Sequence, residues 1–161
     1  MKVKRSMTLA NASAIVDQAL AEGREQDMMP LTVVVLDSGG QIVAVKSEDD
    51  SSIMRFNVAL GKAYGALGMG SSSRALRDRL SERPTFQNAL AAASGGRFVP
   101  VPGGVLIADA DGYAIGAVGI SGDTSEKDEY CAVRAIHSVG LSSDPPEIDP
   151  NWQGSSLSDK K

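Results

Sequence analysis

The chain is poor in the residues that usually advertise chemistry. Among 161 residues it has one cysteine (Cys131), one histidine (His137) and one tryptophan (Trp152), and aromatics amount to 4%. A single cysteine excludes an internal disulfide, which fits a reducing compartment. One histidine and one cysteine cannot make a zinc site from this chain alone, so no metal site is expected. No apolar run approaches the roughly 20 residues needed to span a bilayer. The N-terminal stretch carries Lys2, Lys4 and Arg5 but no apolar signal-peptide core. The expectation is a cytoplasmic protein with no membrane partner. Positive charge is not in excess either: 16 Lys and Arg stand against 20 Asp and Glu, a net charge of -4. That balance excludes the electrostatic footprint of a nucleic-acid binder. The small clusters Lys2/Lys4/Arg5 and Arg74/Arg77/Arg79 read as solvated surface charge. There is no G-x-x-x-x-G-K-[ST] loop and no suitably spaced G-x-G-x-x-G after a strand, hence no nucleotide signature.

What is present is aliphatic and patterned. Apolar residues make up 42% of the chain, enough for one ordinary core. Thr8 is a good N-cap, and Leu9, Ala12, Ile15, Val16, Ala19 and Leu20 follow at helical spacing. The β-branched run 31–36 and the alternating run 41–46 flank the turn Asp37-Ser38-Gly39-Gly40, which predicts a hairpin. Ser51 or Ser52 is expected to cap a helix over about 53–67, rich in Ala59, Gly61, Ala63, Gly65 and Ala66 and therefore open to close approach by another backbone. Short helices are expected over 74–81 and 84–93, the latter with Pro84 in its first turn. Residues 97–101 read as an edge strand or a loop. A second hairpin follows over 105–120, then a helix over about 125–139. The order of elements predicts an α+β fold with an antiparallel sheet of about five strands flanked by helices. Residues 1–7 are expected to be a flexible end, 8–140 a single domain, and 141–161 an irregular Pro- and Ser-rich tail that Trp152 either pins or leaves as a contact point.

Candidate site residues concentrate between Pro102 and Val139. Gly103 and Gly104 enter a strand, and Gly119, Ser121, Gly122 and Asp123 precede a helix whose start presents free N–H groups. These are candidate ligand-binding positions for a small anionic or aromatic ligand. The alternative for the loop is that Asp123 or Thr124 merely caps the helix. Arg55 and Lys62 lie seven residues apart on one helix face, either solvated or turned toward an acidic ligand. Lys62, Asp128 and His137 are the candidate acid/base groups. His137 shares a helix face with Tyr130 and Arg134, and its alternative is a helix-end residue near the negative dipole end.

Four ordered motifs resemble the GlcG/HbpS-like family, also called the haem-degrading domain family, which includes the C-terminal domain of PduO-type proteins. They are Val33-Val34-Val35-Leu36-Asp37-Ser38-Gly39-Gly40; Ala59-Leu60-Gly61-Lys62-Ala63 with Ala66; Pro102-Gly103-Gly104-Val105; and Ile115 to Gly122 with Asp128 beyond. The resemblance spans about residues 8–140. It implies a profilin-like fold and assembly into homo-oligomers. It also implies a small-ligand-binding protein accessory to a catabolic pathway, with haem as a candidate cofactor to be bound or degraded, held between the central helix and the last hairpin. Two other readings stand beside it: an enzyme acting on a small organic acid or aromatic catabolite by acid/base chemistry, and a structural accessory subunit of an oligomer.

Overall fold

A computed structural model describes residues 1–3 and 5–155. Helix α1 (Leu9–Glu25) opens as the sequence predicts, with Thr8 Oγ1 accepting from Asn11 N at 3.1 Å. Then come β1 (Thr32–Asp37), β2 (Ile42–Ser47), α2 (Met54–Met69), α3 (Ser73–Leu80), α4 (Pro84–Ala93), β3 (Gly104–Ala108), β4 (Ala114–Ser121), α5 (Ser125–Ser138), β5 (Ser142–Asp144) and a 3-10 turn at Trp152–Gly154. The five strands make one antiparallel sheet in the order β2-β1-β4-β3-β5. The α+β class and the strand number agree with the sequence.

Alternation along the strands sorts the core into two layers. Val33 and Val35 of β1, Val105 and Ile107 of β3, and Val118 and Ile120 of β4 pack on one face with Ala12, Ile15, Val16 and Ala19 of α1 and Ala132, Val133, Ala135 and Ile136 of α5. Val34, Leu36, Leu106 and Ala117 point the other way, onto Ala59, Ala63 and Ala66 of α2. The second layer is thin because both sides are made of small residues. Gly104 and Gly119 are register partners, and α2 lies directly on them. A Cβ added to Gly119 would come within 1.9 Å of the Ala59 carbonyl oxygen, and one added to Gly104 within 2.3 Å of the Lys62 carbonyl oxygen.

Three expectations change. The strand that completes the sheet is Ser142–Asp144, inside the stretch read as an irregular tail, while 97–100 is a loop. A short, polar strand of sequence Ser-Ser-Asp has no propensity signal, and it forms because β3 offers it an edge. Neither serine caps α2: Ile53 is its N-cap, and the Ser51 hydroxyl bonds Thr32 Oγ1 at 2.8 Å. The end read as flexible is tied down in part, since Met7 is 2% exposed, Ser6 Oγ accepts from Ser38 N, and Arg5 pairs with Asp37 at 3.2 Å. Trp152 does pin the C-terminal segment, stacking on Tyr130 with ring centroids 3.9 Å apart. The rest of the expected tail, 156–161, lies outside the described residues.

Candidate functional site

The candidate residues gather where β3 begins and β4 ends, between the two helix layers. Lys62 projects from α2 and is 1% exposed. It passes the end of the sheet to reach Asp128 of α5, Nζ to Oδ2 at 2.7 Å. Gly103 leaves the gap that it needs. Its φ is +112°, and a Cβ there would lie 2.9 Å from the Lys62 Nζ and 3.0 Å from the Asp128 Cβ. A side chain at this position would be strained as well as obstructive. Asp128 Oδ1 accepts from Asp123 N at 3.2 Å. Burial pushes the Asp128 carboxyl up to about 6, against the downward pull of the Lys62 charge and hydrogen bond. Arg55, one face-repeat before Lys62, reaches Ser121 Oγ at 3.4 Å and adds positive charge near Asp128.

Asp123 faces inward. Its Oδ2 accepts from Met29 N at 2.9 Å and its Oδ1 from Thr124 N at 2.8 Å, with Lys127 Nζ 3.4 Å away. Burial would raise this carboxyl, but the two backbone N–H bonds and the Lys127 charge together hold it below the usual range. Gly122 lets the loop close on Pro30: a Cβ would stand 2.4 Å from the Pro30 carbonyl oxygen. The start of α5 is thus neutralised by the chain's own carboxylates, Asp123 and Asp128, where the sequence allowed an incoming anion. Neither residue caps the helix through its side chain: Thr124 is the N-cap of α5 without a side-chain capping bond, and Asp123, one residue before it, ties the loop to Met29 and Thr124.

The three candidate acid/base groups do not meet. Lys62 and Asp128 form a sealed pair. His137 is exposed on the last turn of α5, nine residues or about 13 Å along the helix from Asp128. Its Nε2 lies 2.9 Å from Ser143 Oγ, and that hydroxyl gives its proton to Pro145 O at 2.7 Å, so the ring donates. Tyr130 and Arg134, expected on the same face, turn instead to Glu22 of α1 at 3.2 and 3.4 Å. Cys131 is buried against Met28, and burial pushes its thiol up, away from reactivity.

The glycine loops therefore serve the chain's own packing. Gly103, Gly104, Gly119 and Gly122 meet Lys62, the α2 backbone and Pro30, and the expected groove between α2 and the β3–β4 hairpin is filled by direct backbone contact. Open space lies on the opposite side of α2. A pocket of about 220 Å³ is lined by Tyr64, Gly65, Gly68, Met69, Leu90, Ala93, Ser94, Arg97 and Phe98. A second, of about 150 Å³, is lined by Ser38, Gly39, Gly40, Tyr64, Leu67 and Gly68. The two share Tyr64 and Gly68, one lying toward the β1–β2 turn and the other toward α4. The Arg97 guanidinium sits 4.0 Å above the Tyr64 ring. Sequence reasoning missed these pockets. The usable signal was the pairing of Gly65 and Gly68 with Tyr64 and Met69 on one helix face, together with Arg97-Phe98 after a double glycine.

Comparison with known proteins agrees with this fold. A family described as "Haem degrading protein HbpS-like" matches residues 7–137. The chain belongs to this HbpS-like family. A curated protein of Citrobacter freundii, described as an uncharacterized 15.0 kDa protein in the dhaT-dhaS intergenic region, is 28% identical over 131 residues, 81% of this chain and 90% of that protein. Among solved structures, a PduOC:heme complex superposes with a TM-score of 0.76 at 23% identity, covering 86% of this chain and 98% of that one. The ORFY protein of Klebsiella pneumoniae gives 0.76 at 21% identity, covering 87% and 94%. A double mutant of HbpS from Streptomyces reticuli gives 0.71 at 21%, covering 86% and 89%. At these identities the structural likeness speaks for the fold. Among the described residues no helix is long and apolar enough to cross a membrane.

Proposed function

We propose that this HbpS-like protein binds a haem-type ligand, a flat apolar ring system with carboxylate arms, in the groove on the outer face of α2. The observation that carries this reading is the meeting of Tyr64, Met69, Phe98 and Arg97 in one apolar groove. Tyrosine oxygen and methionine sulfur both belong to the set of side chains that ligate haem iron. Phe98, Leu90 and Met69 offer the apolar bed, and Arg97 at the groove supplies the fork that pairs with a carboxylate. The donor set therefore fits the group, which when bound supplies redox-active iron. The family description and a structural neighbour solved as a heme complex support the same ligand. An accessory role beside catabolic enzymes in the cytoplasm completes the reading, and the Citrobacter relative described by its place between dhaT and dhaS is consistent with it.

Titration of the purified protein with hemin tests this. A Soret shift at micromolar protein is expected, weakened severalfold by Arg97→Ala and altered in band position by Tyr64→Phe or Met69→Leu. No Soret shift removes the reading. A shift that none of the three variants changes moves the ligand elsewhere on the protein.

One observation favours self-association in addition. Helix α4 buries no residue: Phe86 and Ala89 form an exposed apolar stripe along it, while Leu90 packs inward on Leu76, Leu80 and Phe98. Such a stripe is normally covered, and a second copy of the chain is the covering partner in this reading. Sedimentation of Phe86→Glu against the parent protein checks it: a drop in oligomer size is expected, and an unchanged size excludes this face.

A further inference from the structure

The family match ends at residue 137, and the segment beyond β5 runs back over α5. Its attachments converge on one guanidinium. Arg74 of α3 donates to the Glu147 carbonyl through Nη2 at 3.1 Å, lies 3.8 Å from Asp149 Oδ2 through Nη1, and lies 3.3 Å from Glu129 Oε1 of α5 through Nε. Further along, Trp152 stacks on Tyr130, and Ser155 Oγ donates to Glu126 Oε2 at 3.0 Å. Glu129 is 1% exposed, and its second oxygen, Oε2, is buried with no hydrogen-bond partner among the described residues. Burying a charged carboxylate with one oxygen unpartnered is costly, and protonation lowers that cost by removing the charge.

We propose that residues 145–155 form a strap over α5 that stays closed while Glu129 is protonated and opens when Glu129 ionises. Two carboxylates, one on the helix and one on the strap, lie on the same guanidinium, Glu129 at Nε and Asp149 at Nη1 of Arg74. With Glu129 neutral, the guanidinium serves Asp149 and the Glu147 carbonyl and clamps the strap. Once Glu129 is charged, Asp149 faces a like charge, and the orphaned oxygen gains a partner only by admitting water.

The surroundings agree with this account. Facing Glu129 are Arg74 and Arg77 from α3, Asp149 from the strap and Glu126 from its own helix. The side of α5 turned to α1 carries Tyr130 and Arg134 on Glu22. At the β5 end, His137 bonds Ser143, and Asp144 accepts from Ser72 N. Burial, joined by the Asp149 and Glu126 charges and opposed by the two arginines, pushes the Glu129 carboxyl up to about 7. A folded-state value above the ordinary one means that the closed state binds the proton more tightly. Its stabilisation is therefore complete below the ordinary glutamate value and is lost as pH rises through about 7.

Trp152 is the only tryptophan in the chain, so its fluorescence reports the strap directly. In the full chain, acrylamide quenching of Trp152 is expected to be weak at about pH 5 and to rise severalfold, with a red shift in emission, by about pH 9. Far-UV circular dichroism should stay constant over the range. Glu129→Gln, a neutral isostere, is expected to stay closed throughout. Asp149→Asn removes the strap's own charge and should damp the response. Flat quenching in the parent protein overturns the proposal, as does a parent-like transition in Glu129→Gln. Should Glu129→Gln fail to fold, an undamped response in Asp149→Asn overturns it.

Discussion

Replacing Lys62 with methionine tests the account of the layer-bridging pair. The substitution keeps an unbranched apolar stem but removes the ammonium that sits 2.7 Å from Asp128 Oδ2. Both partners are at most 2% exposed, so no water stands ready to replace it. Breaking a buried pair from one side costs about 3–5 kcal/mol, because the remaining charge is left uncompensated. At about 2–4 °C per kcal/mol for a chain of this size, Tm should fall by roughly 6–20 °C near neutral pH. The loss should depend on pH. Asp128 is already raised to about 6 with Lys62 in place, and without Lys62 its neutral form extends to higher pH. A folded value above the ordinary 3.8 means stability is fully present below 3.8 and lost as pH rises through about 6. Urea unfolding should therefore show a smaller deficit at about pH 5 than at about pH 8. The double variant Lys62→Met/Asp128→Leu, which removes both charges, should recover part of the loss. A Lys62→Met deficit below about 1 kcal/mol at pH 8, or one equal at both pH values, refutes the reasoning.

Other perturbations separate packing glycines from idle ones. Gly119→Ala drives a Cβ to 1.9 Å from the Ala59 carbonyl oxygen, so α2 must lift from the sheet; a loss of about 1–3 kcal/mol or more in urea unfolding is expected. Gly68→Ala meets nothing within 4 Å and has no positive φ, so it should raise Tm, with a gain of about 0.5–1 kcal/mol from helix propensity. Asp123→Ala strips the acceptors from Met29 N and Thr124 N, and should cost about 1–3 kcal/mol. The folded value of Asp123 lies below its ordinary 3.8. Its contribution is therefore present above 3.8 and lost as pH falls below it, so the variant and parent should converge in strong acid.

The fold was legible where periodicity is strong. The β-branched run 31–36, the alternation in 41–46, the Asp37–Gly40 turn and the helical stripe after Thr8 located α1 and the β1–β2 hairpin, because each signal lies in the element's own residues. Ser142–Asp144 was not legible, since its pairing comes from the exposed edge of β3 and nothing in Ser-Ser-Asp asks for it. The site was legible in composition and misread in direction. Gly103, Gly104, Gly119 and Gly122 do mark close approach, yet sequence cannot say whether the approaching group is a ligand or the chain's own backbone. Asp123 and Asp128 carried the same ambiguity, because a carboxylate at a helix start looks alike whether it caps the helix or waits beside a ligand. The pockets around Tyr64 stayed hidden because their walls come from three separated segments, Ser38–Gly40, α2 and Leu90–Phe98.

The pairing of β1 with β4 has a consequence for how the protein is made. Thr32 finds its partner at Ser121, and Asp37 at Gly116, so the middle of the sheet joins residues 79 to 89 positions apart. Until the ribosome has delivered β4, the apolar run Val33–Leu36 has β2 on one side and a bare edge on the other. An uncovered edge of β-branched residues is what recruits another chain. Pairing over such a span also slows folding through the entropy of closing the loop. The nascent protein therefore carries an open apolar edge at Val33–Leu36 until residues 114–121 have emerged to cover it.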